Sequence, residues 1–369
     1  MQNKVCIKGE MMQNITDTFK IIPAFDNENT INIVFCPDNN YAKYFGVLLQ
    51  SIIDNSNHNR KYDILVFAND ISEHNQFLLK KMIPDHFSLR FIDVTKYINS
   101  NYSDCKIYSK GYWSISTFYR LFIPFIMPDY KKVMYLDTDM CTDCSIEELF
   151  DIDFGNNSLI AVIDTASAVI DCLPKRKEYM NSILKLENPE KYFNAGFVIF
   201  NLPNIDIEIY KQKLLDSFKI SDLWFLDQDI MNILFENSVK LIHNKWNLML
   251  DCLNYAVFTD NIHSEYKNNF LEAYQKPNII HYSGPRKPWD YINDNYAQVF
   301  WLYARKTPFY EQLLFNVFKR SIIEFLKPNW FKYYEYKIKS SIPSKKQIHY
   351  KDKFNIIHKR YRDIGLITK

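Results

Sequence analysis

The sequence predicts an α/β fold: a single Rossmann-like, doubly wound, mostly parallel sheet with a helical, basic C-terminal appendage. Three observations predict it. Apolar runs of strand length recur from residue 31 to residue 200, the spacers between them carry apolar residues at helical spacing, and the composition turns basic and aromatic after residue 309. Strands that alternate with helices form parallel units buried on both faces.

Taken in order, the expected strands are IVF-type runs at residues 31–35, 64–67, 89–94, 133–136, 159–163 and 197–200. Between the first two, Tyr44, Val47, Leu48 and Ile52 repeat at the spacing of one helix face. Phe118, Leu121, Phe122 and Phe125 do the same before the fourth run. In open sheets of this kind ligands bind beyond the carboxyl ends of the strands, so the residues just after each run are where chemistry is expected. Asp38, Asn39 and Asn40 follow the first run, Asp137 and Asp139 follow 133–136, and His281 follows Ile279 and Ile280.

Composition narrows the classes. With 369 residues, 47% hydrophobic and 24% charged, the chain has the material for a large core and reads as globular. Seven glycines include no Gly-x-Gly-x-x-Gly and no Walker loop, which disfavours a dinucleotide dehydrogenase or a P-loop enzyme. Phosphates bound here would need a cation to offset their charge. The seven cysteines are odd in number and scattered, as expected of a reducing compartment, and Cys141 and Cys144 form a Cys-x-x-Cys that no second pair completes. No stretch reads as a signal peptide, and none approaches the roughly 20 apolar residues that cross a bilayer. The expectation is a cytoplasmic protein, soluble or peripheral on the inner face of the cell membrane.

Asp137-Thr138-Asp139 stands directly after an apolar strand, so both carboxylates project to one side of extended backbone. Such a pair suits a hard divalent cation, Mn²⁺ or Mg²⁺, that completes its shell with phosphate oxygens. By itself an Asp-x-Asp is more often a pair of solvated turn residues. Its surroundings change that. Five separated blocks, IVFCPDNNYAKYFGVLLQSI from Ile33, STFYRLFIP from Ser116, KVMYLDTDM from Lys132, YFNAGFVIFNL from Tyr192, and DQDIMN from Asp227 with HYSGPRKPW from His281 beyond it, stand in one order. In that order the chain resembles the family 8 retaining glycosyltransferases over residues 31–305, a family that includes bacterial lipopolysaccharide α-galactosyl- and α-glucosyltransferases and, more distantly, glycogenin.

The resemblance implies a GT-A type fold, a UDP-sugar donor such as UDP-glucose or UDP-galactose, and a divalent metal held by Asp137, Asp139 and His281. It places the uridine at Asp38, Asn40 and Tyr41. It sets Arg120, Thr138, Asn194, Ala195 and Gly196 around the donor, and Gly284 and Lys287 on the diphosphate. Asp227 and Gln228 fall beside the anomeric carbon. Gln228 has no ionisable proton and makes a poor base, which favours front-face substitution assisted by the leaving phosphate. Asp227 also has a plain reading as the N-cap of a helix. The stretch 165–191, with Lys175-Arg176-Lys177, lies where the family builds part of its acceptor pocket, and its divergence leaves the glycan or glycolipid acceptor unnamed.

Three segments are expected: an N-terminal extension over 1–30, a transferase domain over 31–309, and a region over 310–369 that carries 14 Lys and Arg against 5 Asp and Glu. The last interleaves Trp330, Phe331, Tyr333, Tyr334 and Tyr336 with Lys327, Lys332, Lys337 and Lys339. It suits attachment to an anionic membrane surface, or equally a folded appendage with a solvated charged face. Nucleic-acid binding has no motif to support it. Two other functions stay open, a nucleotide-sugar-binding protein without turnover and a glycogenin-like self-glucosylating enzyme.

Overall fold

The computed structural model describes residues 19–26, 29–102, 115–250, 264–326, 330–344 and 346–363. Most of the 1–30 extension, Cys6, Cys105, Cys252 and Lys327 lie outside them. The chain divides into two compact units, one ending at Tyr310 and one running from Glu311 to Lys369.

The first unit is organised by a seven-stranded sheet. Its strands are β1 (Ile31–Phe35), β2 (Tyr62–Phe67), β3 (Phe87–Ile92), β4 (Lys132–Leu136), β6 (Leu159–Ile163), β7 (Phe193–Asn201) and β8 (Val239–Ile242), in the order β3-β2-β1-β4-β7-β6-β8. Six run parallel and β7 is reversed, pairing antiparallel with β4 and with β6. A smaller sheet joins β5 (Met140–Thr142), β10 (Ile279–His281) and β9 (Leu248–Met249) in the order β5-β10-β9. The core strands bury both faces, as β2 and β6 do at every position, so they read as continuous apolar runs.

Local chemistry accounts for the helices. In the helix Ala42–Asp54 the residues Phe45, Val47, Leu48, Leu49 and Ile52 are buried, and Gly46 lets it approach closely: a Cβ there would stand 2.7 Å from the Phe309 ring. Ser72 caps the helix Glu73–Lys80 by accepting from the Asn75 N–H, and Asp206 caps Ile207–Ser217 in the same way.

Three expectations need correction. The third strand ends at Ile92, so Val94 lies beyond it. The periodic stretch 118–125 is mostly a 3₁₀-helix, Ile115–Phe122, followed by one α-turn, Ile123–Ile126, where Pro124 sits in the first turn. Asp227 is the first residue of its helix rather than its cap; Leu226, at φ +45°, holds the cap position.

The reversed strand positions the site. Leu136 of β4 pairs with Phe197 of β7, so the segment Asn194-Ala195-Gly196 meets the chain just after β4, and the Asp137 N–H donates to the Gly196 carbonyl at 2.7 Å. The small sheet brings the other half, because His281 pairs with Met140 on one side and Met249 on the other. The Tyr282 N–H then donates to the Asp139 carbonyl at 2.9 Å.

The second unit consists of the helices Trp330–Ser341 and Gln347–Asp363 with most of the helix Tyr310–Leu326. Tyr333 and Tyr361 are buried there with rings 5.6 Å apart, while Phe331, Ile338, Ile348 and Ile356 stay exposed. Among the described residues no helix is long and apolar enough to cross a membrane.

Candidate active site

Asp137, Asp139 and His281 converge at the carboxyl end of β4, each offering a ligand atom, all within 4.8 Å of one another. His281 Nε2 lies 3.4 Å from Asp139 Oδ1 and 3.9 Å from Asp137 Oδ2. The ring is buried, and its Nδ1 stands 3.0 Å from Asn247 Oδ1, an oxygen that can only accept. That bond sets the tautomer of the neutral ring, with its proton on Nδ1 and Nε2 turned to the carboxylates, the outer-shell arrangement expected of a metal-binding histidine. Gly196 shapes the same cradle: a Cβ on it would lie 2.6 Å from Asp137 Oδ2 and 2.6 Å from His281 Cε1. Thr138 sits half-buried between the two acids.

Each acid is held from behind. Asp137 Oδ1 accepts from Arg120 Nη2 at 2.9 Å and from the Tyr135 hydroxyl at 2.7 Å, leaving Oδ2 to face His281. Asp139 Oδ2 accepts from Lys287 Nζ at 2.5 Å, and Lys287 also donates to the Tyr282 carbonyl at 2.7 Å. Burial pushes the Asp139 carboxyl up, but the Lys287 ammonium beside it outweighs this and holds the group well below the ordinary carboxylate range. Asp139 is therefore an anion across the physiological range.

Arg120 is the hub on the other side. It is buried, stacks 4.1 Å over the Tyr135 ring, donates to the Ala195 carbonyl at 2.7 Å, and pairs through Nε with Asp227 at 3.0 Å. One guanidinium is shared by two carboxylates. Burial, opposed by Arg120 and reinforced by the Asp137 charge, raises Asp227 from 3.8 to about 7.

Gln228 is fixed at both ends of its amide. Its oxygen accepts from Asn194 Nδ2 at 2.9 Å and from the Ala195 N–H at 3.1 Å, and its Nε2 donates to Asp164 Oδ2 at 3.1 Å. Asn194 Oδ1 in turn accepts from Asn247 Nδ2 at 2.9 Å and from the Gly196 N–H at 3.1 Å. A chain of amides thus runs from His281 to Gln228. Asp164 closes it, accepting from Arg176 Nη2 at 3.1 Å.

After β1, Asp38 Oδ1 accepts from the Tyr41 N–H at 2.8 Å, closing the turn into the helix Ala42–Asp54. The exposed Asn40 offers its carbonyl to Lys43 Nζ at 2.6 Å. Tyr44 stacks on Trp289 at 3.6 Å, and Tyr41 meets the same indole edge-on at 6.1 Å. The first and last sequence blocks are joined by these rings. Gly284, at φ +76°, makes the turn between His281 and Lys287 that a side chain would strain.

The site gathers all three expected metal ligands with Arg120, Asn194, Ala195, Gly196, Gln228, Asp227 and Lys287, while Asp38, Asn40 and Tyr41 lie at a neighbouring turn. Sequence reasoning missed Asp164, Asn247 and Tyr135, and named Arg176 only as part of the divergent stretch 165–191. Asp164 directly follows β6 and was open to the same rule that picked out Asp137. Asn247 carries no local signal at all. Cys141 and Cys144 are free thiols, and burial raises both, Cys144 to about 11, so neither is a thiolate near neutral pH.

An open parallel sheet with one reversed strand, bearing paired acids where that strand crosses β4, is a glycosyltransferase fold of the GT-A type. The chain belongs to glycosyl transferase family 8, whose sequence profile matches residues 32–293. It is 30% identical to the lipopolysaccharide 1,3-galactosyltransferase of Salmonella typhimurium across 48% of this chain and half of that enzyme's length. It is 26% identical to the lipopolysaccharide 1,2-glucosyltransferase of Escherichia coli over 74% of this chain and 78% of that one. Among solved structures it superposes on the bifunctional glycosyltransferase WbbM with a TM-score of 0.71 and 30% identity, covering 80% of this chain and 52% of WbbM. It also superposes on LgtC, solved as an active-site glutamine-to-glutamate mutant, with a TM-score of 0.62 and 27% identity over 75% of this chain and 96% of LgtC. The galactosyltransferase LgtC has further been solved with donor and acceptor sugar analogues, a structure on which this chain superposes with a TM-score of 0.60.

Proposed function

We propose that the chain is a metal-dependent retaining hexosyltransferase that moves glucose or galactose from a UDP-sugar to a lipopolysaccharide or other surface-glycan acceptor. The observation that carries this is the convergence of Asp137, Asp139 and the tautomer-fixed His281, with Gln228 tied to the same amide chain. Lipopolysaccharide galactosyl- and glucosyltransferases among the relatives support the hexose and the acceptor class.

Two carboxylate oxygens and a neutral imidazole nitrogen suit Mn²⁺, and Mg²⁺ less well because it favours oxygen. When bound, the ion supplies positive charge against the diphosphate and makes UDP a better leaving group. Lys287 adds a second cation beside Asp139, and Arg120 keeps Asp137 aimed inward while bracing the Ala195 carbonyl. Gln228 cannot take a proton, and both ends of its amide are occupied, so its part is to hold a fixed dipole beside the reacting sugar. That fits front-face substitution, in which the departing phosphate oxygen accepts the proton of the acceptor hydroxyl. The active-site glutamine of LgtC supports this place for Gln228.

The test is UDP release from a panel of UDP-hexoses with Mn²⁺, with and without EDTA. Release that needs the metal is expected with UDP-glucose or UDP-galactose; metal-independent release, or none with any UDP-hexose, overturns the reading. The C-terminal unit's exposed Phe331, Ile338, Ile348 and Ile356 among basic residues support peripheral attachment to an anionic membrane.

A further inference from the structure

The segment between the helices Ile207–Ser217 and Asp227–Phe235 holds two non-glycine residues in left-handed backbone, Asp222 at φ +65° and Leu226 at φ +45°. Such conformations persist only where the surroundings over-determine them, and they cluster where a side chain must be aimed. Leu223 and Leu226 anchor the segment by burial, whereas Trp224 between them remains 41% exposed. That is unusual for the largest apolar side chain.

The indole is nevertheless held firmly. It stacks on Tyr179 with centroids 4.2 Å apart and planes 7° from parallel, and its backbone N–H donates to the Tyr179 hydroxyl at 2.9 Å. Tyr179 is itself buried and donates to Asp229 Oδ2 at 2.7 Å. One face of the indole is therefore covered by Tyr179, which leaves the residue's exposure to its remaining surfaces. The next residue, Phe225, lies under the Arg176 guanidinium at 4.7 Å; Arg176 binds Asp164, and Asp164 binds Gln228. Both supports, Tyr179 and Arg176, come from the helix Pro174–Ser182, inside the divergent stretch where the sequence left the acceptor unnamed.

We propose that the open face of Trp224 is a stacking platform for a pyranose ring of the acceptor, which makes Trp224 a specificity-determining residue. This rests on the transferase reading above and adds the surface that receives the second substrate. A pyranose offers an apolar C–H face inside a rim of hydroxyls. A flat, preordered ring removes that face from water at little conformational cost, and the chain through Arg176 and Asp164 leads from Phe225, the residue next to the platform, to Gln228. The acceptor class it fits is a neutral hexose-terminated oligosaccharide rather than a small polar alcohol.

The experiment uses the full chain and a lipopolysaccharide core oligosaccharide as probe, with binding followed by ligand-observed NMR in the presence of UDP and Mn²⁺, and turnover followed separately. In Trp224→Ala, oligosaccharide affinity should fall about tenfold, the loss of one aromatic contact, while acceptor-independent UDP release and the KM for the UDP-sugar stay at wild-type values. Trp224→Phe should retain most of the affinity. If the alanine variant does not fold, Trp224→Leu, which fills the space over Tyr179 without a flat face, carries the same expectation. Oligosaccharide affinity within twofold of wild type in the alanine or leucine variant overturns the platform, as does a parallel loss of donor binding. Absence of UDP release by the unmodified chain would instead sink the transferase reading, so the two failures are separable.

Discussion

Replacing Gly196 with alanine should disable the proposed metal site while leaving the fold in place. The new Cβ would stand 2.6 Å from Asp137 Oδ2, 2.6 Å from His281 Cε1 and 2.9 Å from Asn194 Oδ1. The strand cannot back away, because the Gly196 carbonyl accepts from Asp137 N–H and its own N–H donates to Asn194. The side chains must move instead. Going from 2.6 Å to an ordinary contact near 3.4 Å is a retreat of about 0.8 Å, against a ligand tolerance of about 0.2 Å in metal sites. Disturbing a residue behind a ligand typically weakens metal binding about 10–100-fold, so displacing two ligands should cost about 100-fold or more. Overpacking of this kind also costs about 1–3 kcal/mol of stability. Calorimetric titration of Mn²⁺ with UDP present, paired with melting curves with and without Mn²⁺, reads both terms. A Gly196→Ala protein that binds Mn²⁺ within threefold of wild type would refute the assignment of the site, since the displaced atoms would then not be ligands.

The other expectations are narrower. Asn247→Ala should weaken Mn²⁺ binding about 10–100-fold, because His281 loses the acceptor that fixes its tautomer and Asn194 loses a donor; equal affinity would remove Asn247 from the site's support. Asp227 is more easily protonated folded than unfolded, so its contribution to stability is present below about pH 4 and is lost as pH rises through about 7. Melting in EDTA should therefore find Asp227→Asn gaining on wild type between pH 5 and pH 8, and a pH-independent difference would contradict the raised carboxyl. A version ending at Tyr310 should lose sedimentation with anionic liposomes, which unchanged sedimentation would exclude.

Much of this architecture is local in origin. The runs at 31–35 and 159–163 are strands over those same residues, and the periodic stretch after Tyr41 is a helix, because alternation and burial write themselves into neighbouring positions. The acids after β4 were legible for the same reason, as residues that end a buried strand with polar groups. What local pattern could not carry was the reversal of β7, since an apolar run reads alike in either direction, and the 3₁₀ geometry of Ile115–Phe122, where tertiary packing overrides period. Nor could it carry the partners. Asn247 reaches His281 from 34 positions away and Lys287 reaches Asp139 from 148. The sequence by itself determined which residue types stand at the strand ends; only the folded chain decided that Asn247, Asp164 and Lys287 close around them, because contacts between distant segments are set by packing and leave no mark in the residues nearby.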